Sequence, residues 1–159
     1  MGHDSDFAAY MVARWPALVR SLVLLGCAPP RAEEVVRQGL ARCCLTWGRV
    51  READDIDVEV YRAVLDALGR DSSAAPATTG DAAGPAPDRT DAELVRDALL
   101  EALDRLDHVD RGVVVLHLAA GLDARQVGEL LELPAEAVEP TLADALERLD
   151  LRSVWEASR

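Results

Sequence analysis

The chain has 159 residues and a formal charge of −12. That length fits one ordinary domain or two small ones, and the charge argues against nonspecific nucleic-acid binding and against docking on an anionic membrane. Half of the residues are hydrophobic and only 4% aromatic, so aliphatic side chains must fill the core. Ala, Leu, Arg and Glu dominate, and strand-favouring residues do not alternate, which predicts an all-α protein. No apolar run reaches the ~18 residues of a membrane-crossing helix. Met1 to Asp6 lacks the basic start of a secretion signal, so the expected location is cytoplasmic. The three cysteines, Cys27, Cys43 and Cys44, form no C-x-x-C pair. They are expected to be buried, reduced thiols rather than a disulfide framework or a zinc site.

The first predicted helix covers about Ser5 to Leu25, with Phe7, Tyr10, Met11, Leu18, Leu22 and Leu25 on one side and Pro16 as a point of bending or division. A second starts at Pro29–Pro30, a pair suited to a first helical turn. It carries Ala32, Val35, Val36, Leu40, Cys43 and Trp47 at steps of three and four. A third spans about Asp55 to Leu68, with Val60, Val64, Leu65 and Leu68 inward. From Gly69 to Arg89 small residues, Gly, Pro, Ser and Thr take over. Such a stretch reads as a flexible linker, about 25 Å long on average as a random coil. The predicted organisation is therefore an N-terminal domain (1–69), a linker (70–89) and a C-terminal domain (90–159).

In the C-terminal domain, Thr90 to Glu93 has the form of a capping box ahead of a stripe from Leu94 to Leu106. A second helix covers about Asp110 to Ala120 and stops at Gly121. Asp123 caps a short helix, Ala124 to Leu131, Leu133–Pro134 makes a turn, and a last helix runs towards Leu149 or beyond. Two short helices across a tight turn, after two supporting helices, predict a helix-turn-helix.

These elements carry a resemblance. The stretch from Arg111 to Pro134 resembles the middle of the fourth conserved region of the extracytoplasmic-function sigma factors. The N-terminal domain is similar to that family's second region through Phe7, Trp15-Pro16-Ala17-Leu18, Ala32-Glu33-Glu34, Trp47 and Ala53-Asp54-Asp55. The resemblance implies two small helical domains on a flexible linker, a chain that binds core RNA polymerase and directs it to promoters, and no cofactor or metal. By its implication Glu34, Arg37 and Gln38 occupy the face for the polymerase clamp. Tyr61 and Arg62 occupy the positions for melted −10 DNA, where stacking a flipped base needs an exposed ring. Glu136, Glu139, Thr141 and Asp144 fall on the helix that reads the −35 element.

The chemistry at those last positions departs from the family. Residues 135–150 carry Glu136, Glu139, Asp144, Glu147 and Asp150 against Arg148 alone. Phosphate binding draws its affinity from cations that displace counterions, and Pro140 also removes a backbone donor. Residues 91–159 hold 16 carboxylates and 7 arginines, whereas residues 1–70 hold 10 and 9, so the acid is concentrated where −35 DNA would be touched. Glu136 and Glu139 also favour the helix dipole, a role compatible with lost DNA affinity.

His108 and His117 lack a nearby ligand set. The pairs Glu33–Glu34 and Asp54–Asp55 read as solvated helix caps, no nucleophile is arranged with a base, and no Gly-rich phosphate loop occurs. The sequence thus predicts no enzyme, no small-molecule substrate and no cofactor. It predicts a degenerate sigma-like regulator that acts through protein contacts with RNA polymerase, an anti-sigma factor or another regulator, and whose own promoter binding is weak or absent. A working sigma factor is the alternative, and an acidic helical module unrelated to initiation a second one. Trp155, close to the C-terminus, is a possible partner anchor, since Trp often fills that role; folding back onto its own domain is the competing reading. Limited proteolysis should cut first within residues 70–89, and first cleavage inside 91–150 would contradict the two-domain organisation.

Overall fold

The computed structural model describes residues 2–74, 90–149 and 151–159, and among them every regular element is helical. In the N-terminal lobe, α1 (Gly2–Leu24) runs through Pro16 without a break. α2 (Pro29–Leu45) starts at the proline pair as expected. A short α3 (Trp47–Val50) follows, which the periodicity did not announce because Trp47 reads as one more step of the α2 stripe. α4 (Ile56–Ala74) closes the lobe. It extends beyond Leu68 into the segment expected as a linker; residues 75–89 lie outside the described residues.

The lobe is organised by the crossing of α2 and α4. Val35, Val36 and Leu40 from α2, Val60 and Val64 from α4, and Leu18 and Leu22 from α1 are all buried in one aliphatic cluster. Gly39 makes the crossing close. A Cβ there would lie 2.6 Å from Val64 Cγ2 and 2.8 Å from Val64 Cα, so any other residue would force the two backbones apart. Three of the six aromatic rings pack together. Phe7 and Tyr10 of α1 lie 5.2 and 5.5 Å, centroid to centroid, from Trp47, at separations where edge and tilted ring contacts are favourable. Tyr10 Oη donates to Asp57 Oδ1 at 2.6 Å, and Arg14 pairs with Asp57 Oδ2 at 2.6 Å. Burial first, then the bond to Asp57, raises the Tyr10 pKa.

One expectation gains a detail here and another is corrected. By length and composition, residues 5–24 of α1 are long and apolar enough to cross a membrane, with a mean hydropathy of 1.2. Scattered Arg14, Arg20 and Ser21 hid this from a search for an unbroken apolar run. In this fold the helix is tied to the lobe by Leu18, Leu22 and the Arg14–Asp57 pair. Of the three free thiols, Cys27 and Cys43 are buried but Cys44 is exposed, because the residue after Cys43 turns off the α2 stripe. Burial first pushes the Cys43 thiol up to about 11.

In the C-terminal lobe, α5 (Asp91–Asp104) begins with the expected capping box: Glu93 N–H donates to Thr90 Oγ1, and Thr90 N–H donates to the Glu93 carboxylate. α6 (His108–Val114), capped by Asp107, runs on as a π-helical turn, Val115–Ala119. α7 (Ala124–Leu131) opens with a capping box between Asp123 and Gln126. Glu132 takes a left-handed conformation, φ 57°, and Leu133 N–H donates back to Gly128 O at 2.9 Å. A Cβ on Gly128 would sit 2.6 Å from Leu133 O, so this tight turn requires glycine. α8 (Ala135–Arg148) then completes the helix-turn-helix. Leu149 is buried in an extended conformation that stops α8, and a separate α9 (Arg152–Ala157) packs on α5. The apolar stripe of α8 thus does not continue to Trp155 in one helix.

Gly39→Ala should lower the unfolding free energy by about 1–3 kcal/mol, the cost of overpacking. Gly69→Ala, whose Cβ would meet nothing within 4 Å, should raise it by about 0.5–1 kcal/mol through helix propensity. Urea melts of the two variants check the contrast, and equal shifts would contradict the close crossing.

Candidate functional site

The residues expected to meet a polymerase clamp lie together on the open face of α2. Glu34, Arg37 and Gln38 are exposed. Arg37 pairs with Glu34, and Gln38 Nε2 donates to Glu34 Oε1 at 3.2 Å. Helical spacing alone produces this small polar face, and its three side chains are exposed among the described residues.

The two positions expected to meet melted DNA are placed otherwise. Tyr61 is only 6% exposed, because α4 turns it into the core. Its hydroxyl lies 3.4 Å from Ser21 Oγ, and burial raises its pKa. A ring so placed cannot stack on a base, so Tyr61 is a packing residue. Arg62, one step round the helix, pairs with Glu59 on its own helix. It also donates to Glu129 Oε1 of α7 at 2.8 Å.

That last contact belongs to a seam between the lobes. Asp55 is its centre. Asp55 Oδ1 accepts from Val58 N–H at 3.2 Å and so caps α4. Oδ2 accepts from Arg125 at 2.7 Å and from Gln126 Nε2 at 2.8 Å, both on α7. Partial burial pushes the carboxyl up, but the bonds from Gln126, Val58 N–H and Arg125 outweigh it and hold the pKa below the usual aspartate value. At its other end the seam joins α1 to the π-helical turn. Arg111 Nε donates to Leu24 O at 2.7 Å, and Arg111 also pairs with Asp104. Leu24 O is one of the carbonyls that end α1, so an arginine of one lobe caps a helix of the other. Asp55 was legible as a helix cap; its second set of partners, some 70 residues away, carries no local sequence signal.

The helix-turn-helix presents carboxylates. Glu136, Glu139 and Asp144 on α8 are exposed and Thr141 is half-buried. Glu139 Oε1 stands 3.9 Å from His117 Nε2. The single basic residue of α8, Arg148, pairs with the buried Asp110 of α6, and Arg125 of α7 is held by Asp55 and Glu129.

Beside α8 lies an apolar cleft of about 280 Å³. Leu24, Leu99, Leu103 and Val115 are among its lining residues, and Leu118, Leu146 and Leu151 stand at its mouth, 56%, 40% and 41% exposed. Leu151 also lines a second hollow with Val154 and Trp155. Trp155 is 70% exposed, so α9 returns to its own lobe while this ring does not. Sequence reasoning missed Leu118 and Leu146 as surface residues because both sit on apolar stripes. Among the described residues no three of His, Cys, Asp and Glu are grouped to hold a metal.

No protein-family model matches the chain, and no curated protein matches it in sequence. Its fold does have solved counterparts. CnrH, solved in complex with the cytosolic domain of CnrY, superposes with a TM-score of 0.72 at 20% identity, over 99% of this chain and 92% of that one. The sigma factor RpoE, co-crystallised with the anti-sigma factor NepR from Bartonella quintana, gives 0.67 at 16% identity, over 97% of this chain and 99% of that one. The chain therefore has the all-helical fold of a sigma factor over nearly its whole length, as the resemblance implied.

Because Tyr61 is core, Tyr61→Ala should cost about 3 kcal/mol or more of stability, and Tyr61→Phe about 1 kcal/mol or less, the value of one hydrogen bond. Chemical denaturation followed by circular dichroism measures both. An unchanged midpoint for Tyr61→Ala would restore the exposed-ring reading.

Proposed function

We propose that this chain is a degenerate sigma-like transcription regulator that acts through protein contacts and has little or no promoter binding of its own. The observation that carries the reading is the surface of α8. The helix to which the family resemblance assigns DNA reading displays Glu136, Glu139 and Asp144, and its one arginine is paired with Asp110. Carboxylates facing phosphates oppose docking, and without free cations there is no counterion release to drive it. Glu34, Arg37 and Gln38 are the residues we assign to a polymerase-like contact, and Trp155 to a partner anchor.

Protein contact is supported by the apolar mouth formed by Leu118, Leu146 and Leu151 next to Trp155. Exposed apolar patches beside polar surface commonly mark interaction sites. Both fold counterparts were solved with protein partners, CnrY and NepR, which favours a polymerase, anti-sigma or related regulatory partner here. The fold of RpoE keeps a second reading in view, a sigma factor that directs RNA polymerase to promoters. Its acidic α8 would then have to work within the holoenzyme.

Two measurements separate the readings. In gel-shift titrations with promoter duplex over a salt series, the isolated protein should show no sequence-dependent shift at physiological salt, and submicromolar specific binding would overturn the proposal. In pull-downs from the host, the wild type should retain RNA polymerase, an anti-sigma factor or another regulator. Trp155→Ala and Leu146→Ala should weaken that retention by about 2 kcal/mol, as loss of an interface anchor does. Retention unaffected by both substitutions would remove this surface from the contact.

A further inference from the structure

Two apolar features of opposite shape adjoin on the C-terminal lobe. The cleft beside α8 is lined throughout by Leu, Val and Ala, and its volume of about 280 Å³ has room for one large ring. Its mouth is open at Leu118, Leu146 and Leu151. Next to it stands Trp155, 70% exposed. The two are neighbours because Leu151 lines both the cleft and the hollow that Val154 and Trp155 border. The lobe thus carries a hole and a knob side by side, and its own knob does not fill its own hole.

A knob and a hole on one face meet the requirement of a two-fold interface, in which both copies present the same patch and each residue meets its counterpart's neighbour. Charge favours the same pairing. Residues 151–159 carry Arg152 and Arg159 against Glu156, a net positive stretch in an otherwise acidic lobe. α8, which walls the cleft through Leu146, displays Glu136, Glu139, Asp144 and Glu147, and its one arginine is paired with Asp110. The segment that carries the ring of one copy therefore brings arginines towards the carboxylates of the other.

We propose that this face pairs two copies of the chain, with Trp155 of each seated in the cleft beside α8 of the other. The patch is small. A tryptophan buries about 150–250 Å², whereas a standard interface takes about 800 Å² from each partner. The dimer is therefore weak and concentration-dependent, in the micromolar range or above. The charge of −12 on each copy opposes association at low salt, and at about 150 mM the Debye length of about 8 Å confines that repulsion to short range. Pairing covers the surface assigned above to a protein partner, so self-association and partner capture compete; that consequence rests on the proposed function, and the pairing itself does not.

Sedimentation equilibrium of the purified full chain at about 150 mM salt, over a wide concentration series reaching the high micromolar range, tests it. Circular dichroism verifies that each variant keeps its helices. The wild type should rise from 17.1 kDa towards twice that mass. Trp155→Ala removes the knob, and Leu118→Glu places a charge at the mouth of the hole; both side chains are exposed, so neither substitution empties the core. Each variant alone should dimerise about 30-fold more weakly or worse, as loss of an interface anchor does. Mixed in equal amounts, the two should associate more strongly than either does alone, because Trp155 of the Leu118→Glu copy finds an intact cleft on the Trp155→Ala copy. A wild type that stays at 17.1 kDa throughout overturns the pairing and leaves the face to an unlike partner. So do folded variants that dimerise as the wild type does, a mixture no stronger than its components, or growth beyond two copies, which a closed two-fold contact forbids. All of these are read on the isolated protein without DNA or polymerase, so the pairing and the proposed function fail separately.

Discussion

One carboxylate serves both lobes at once. Asp55 begins α4 by taking Val58 N–H on one oxygen and reaches α7 through Arg125 and Gln126 on the other. A helix cap is fixed in orientation by the backbone it serves, so its free oxygen points in a set direction at no further entropic cost. The direction of α4 is itself set by the crossing at Gly39 and Val64. The position of the helix-turn-helix over the N-terminal lobe thus traces back, through Asp55, to how closely α2 and α4 approach.

The distribution of charge is the second constraint. With no lysine, the 17 arginines are outnumbered by 29 carboxylates, and this fold uses several of them internally. Arg14 holds Asp57, Arg111 caps α1, Arg125 joins the seam, and Arg148 neutralises the buried Asp110. The Asp110–Arg148 pair fixes α8 against α6 and engages the one arginine of α8.

What could be read from the sequence follows the range of the interactions. The start of α2 at its prolines, the capping boxes of α5 and α7, and the helix-turn-helix all depend on neighbours within four residues, and each stands where the local pattern puts it. Features that depend on distant partners were not legible. Periodicity cannot distinguish a Tyr61 facing Ser21 from one facing solvent, nor foresee that Gly39 meets Val64. The π-helical turn after α6 and the break at Leu149 depart from regular helical spacing, and the separation of α9 leaves the Trp155 ring outside the core.

The unbroken passage of α1 through Pro16 bears on how this lobe comes apart. Proline has no N–H, so the carbonyl four residues earlier, on Val12, receives no helical bond from it, and Val12 is 74% exposed. The ladder is thus weakened at that point. The turns before it are anchored from the side, by Phe7 and Tyr10 on Trp47 and by the Tyr10 bond to Asp57, whereas those after it are sealed by Leu18 and Leu22. One continuous rod in shape is therefore two units in cooperativity: its first half can detach when a few aromatic contacts open, while its second half survives until the aliphatic core itself gives way.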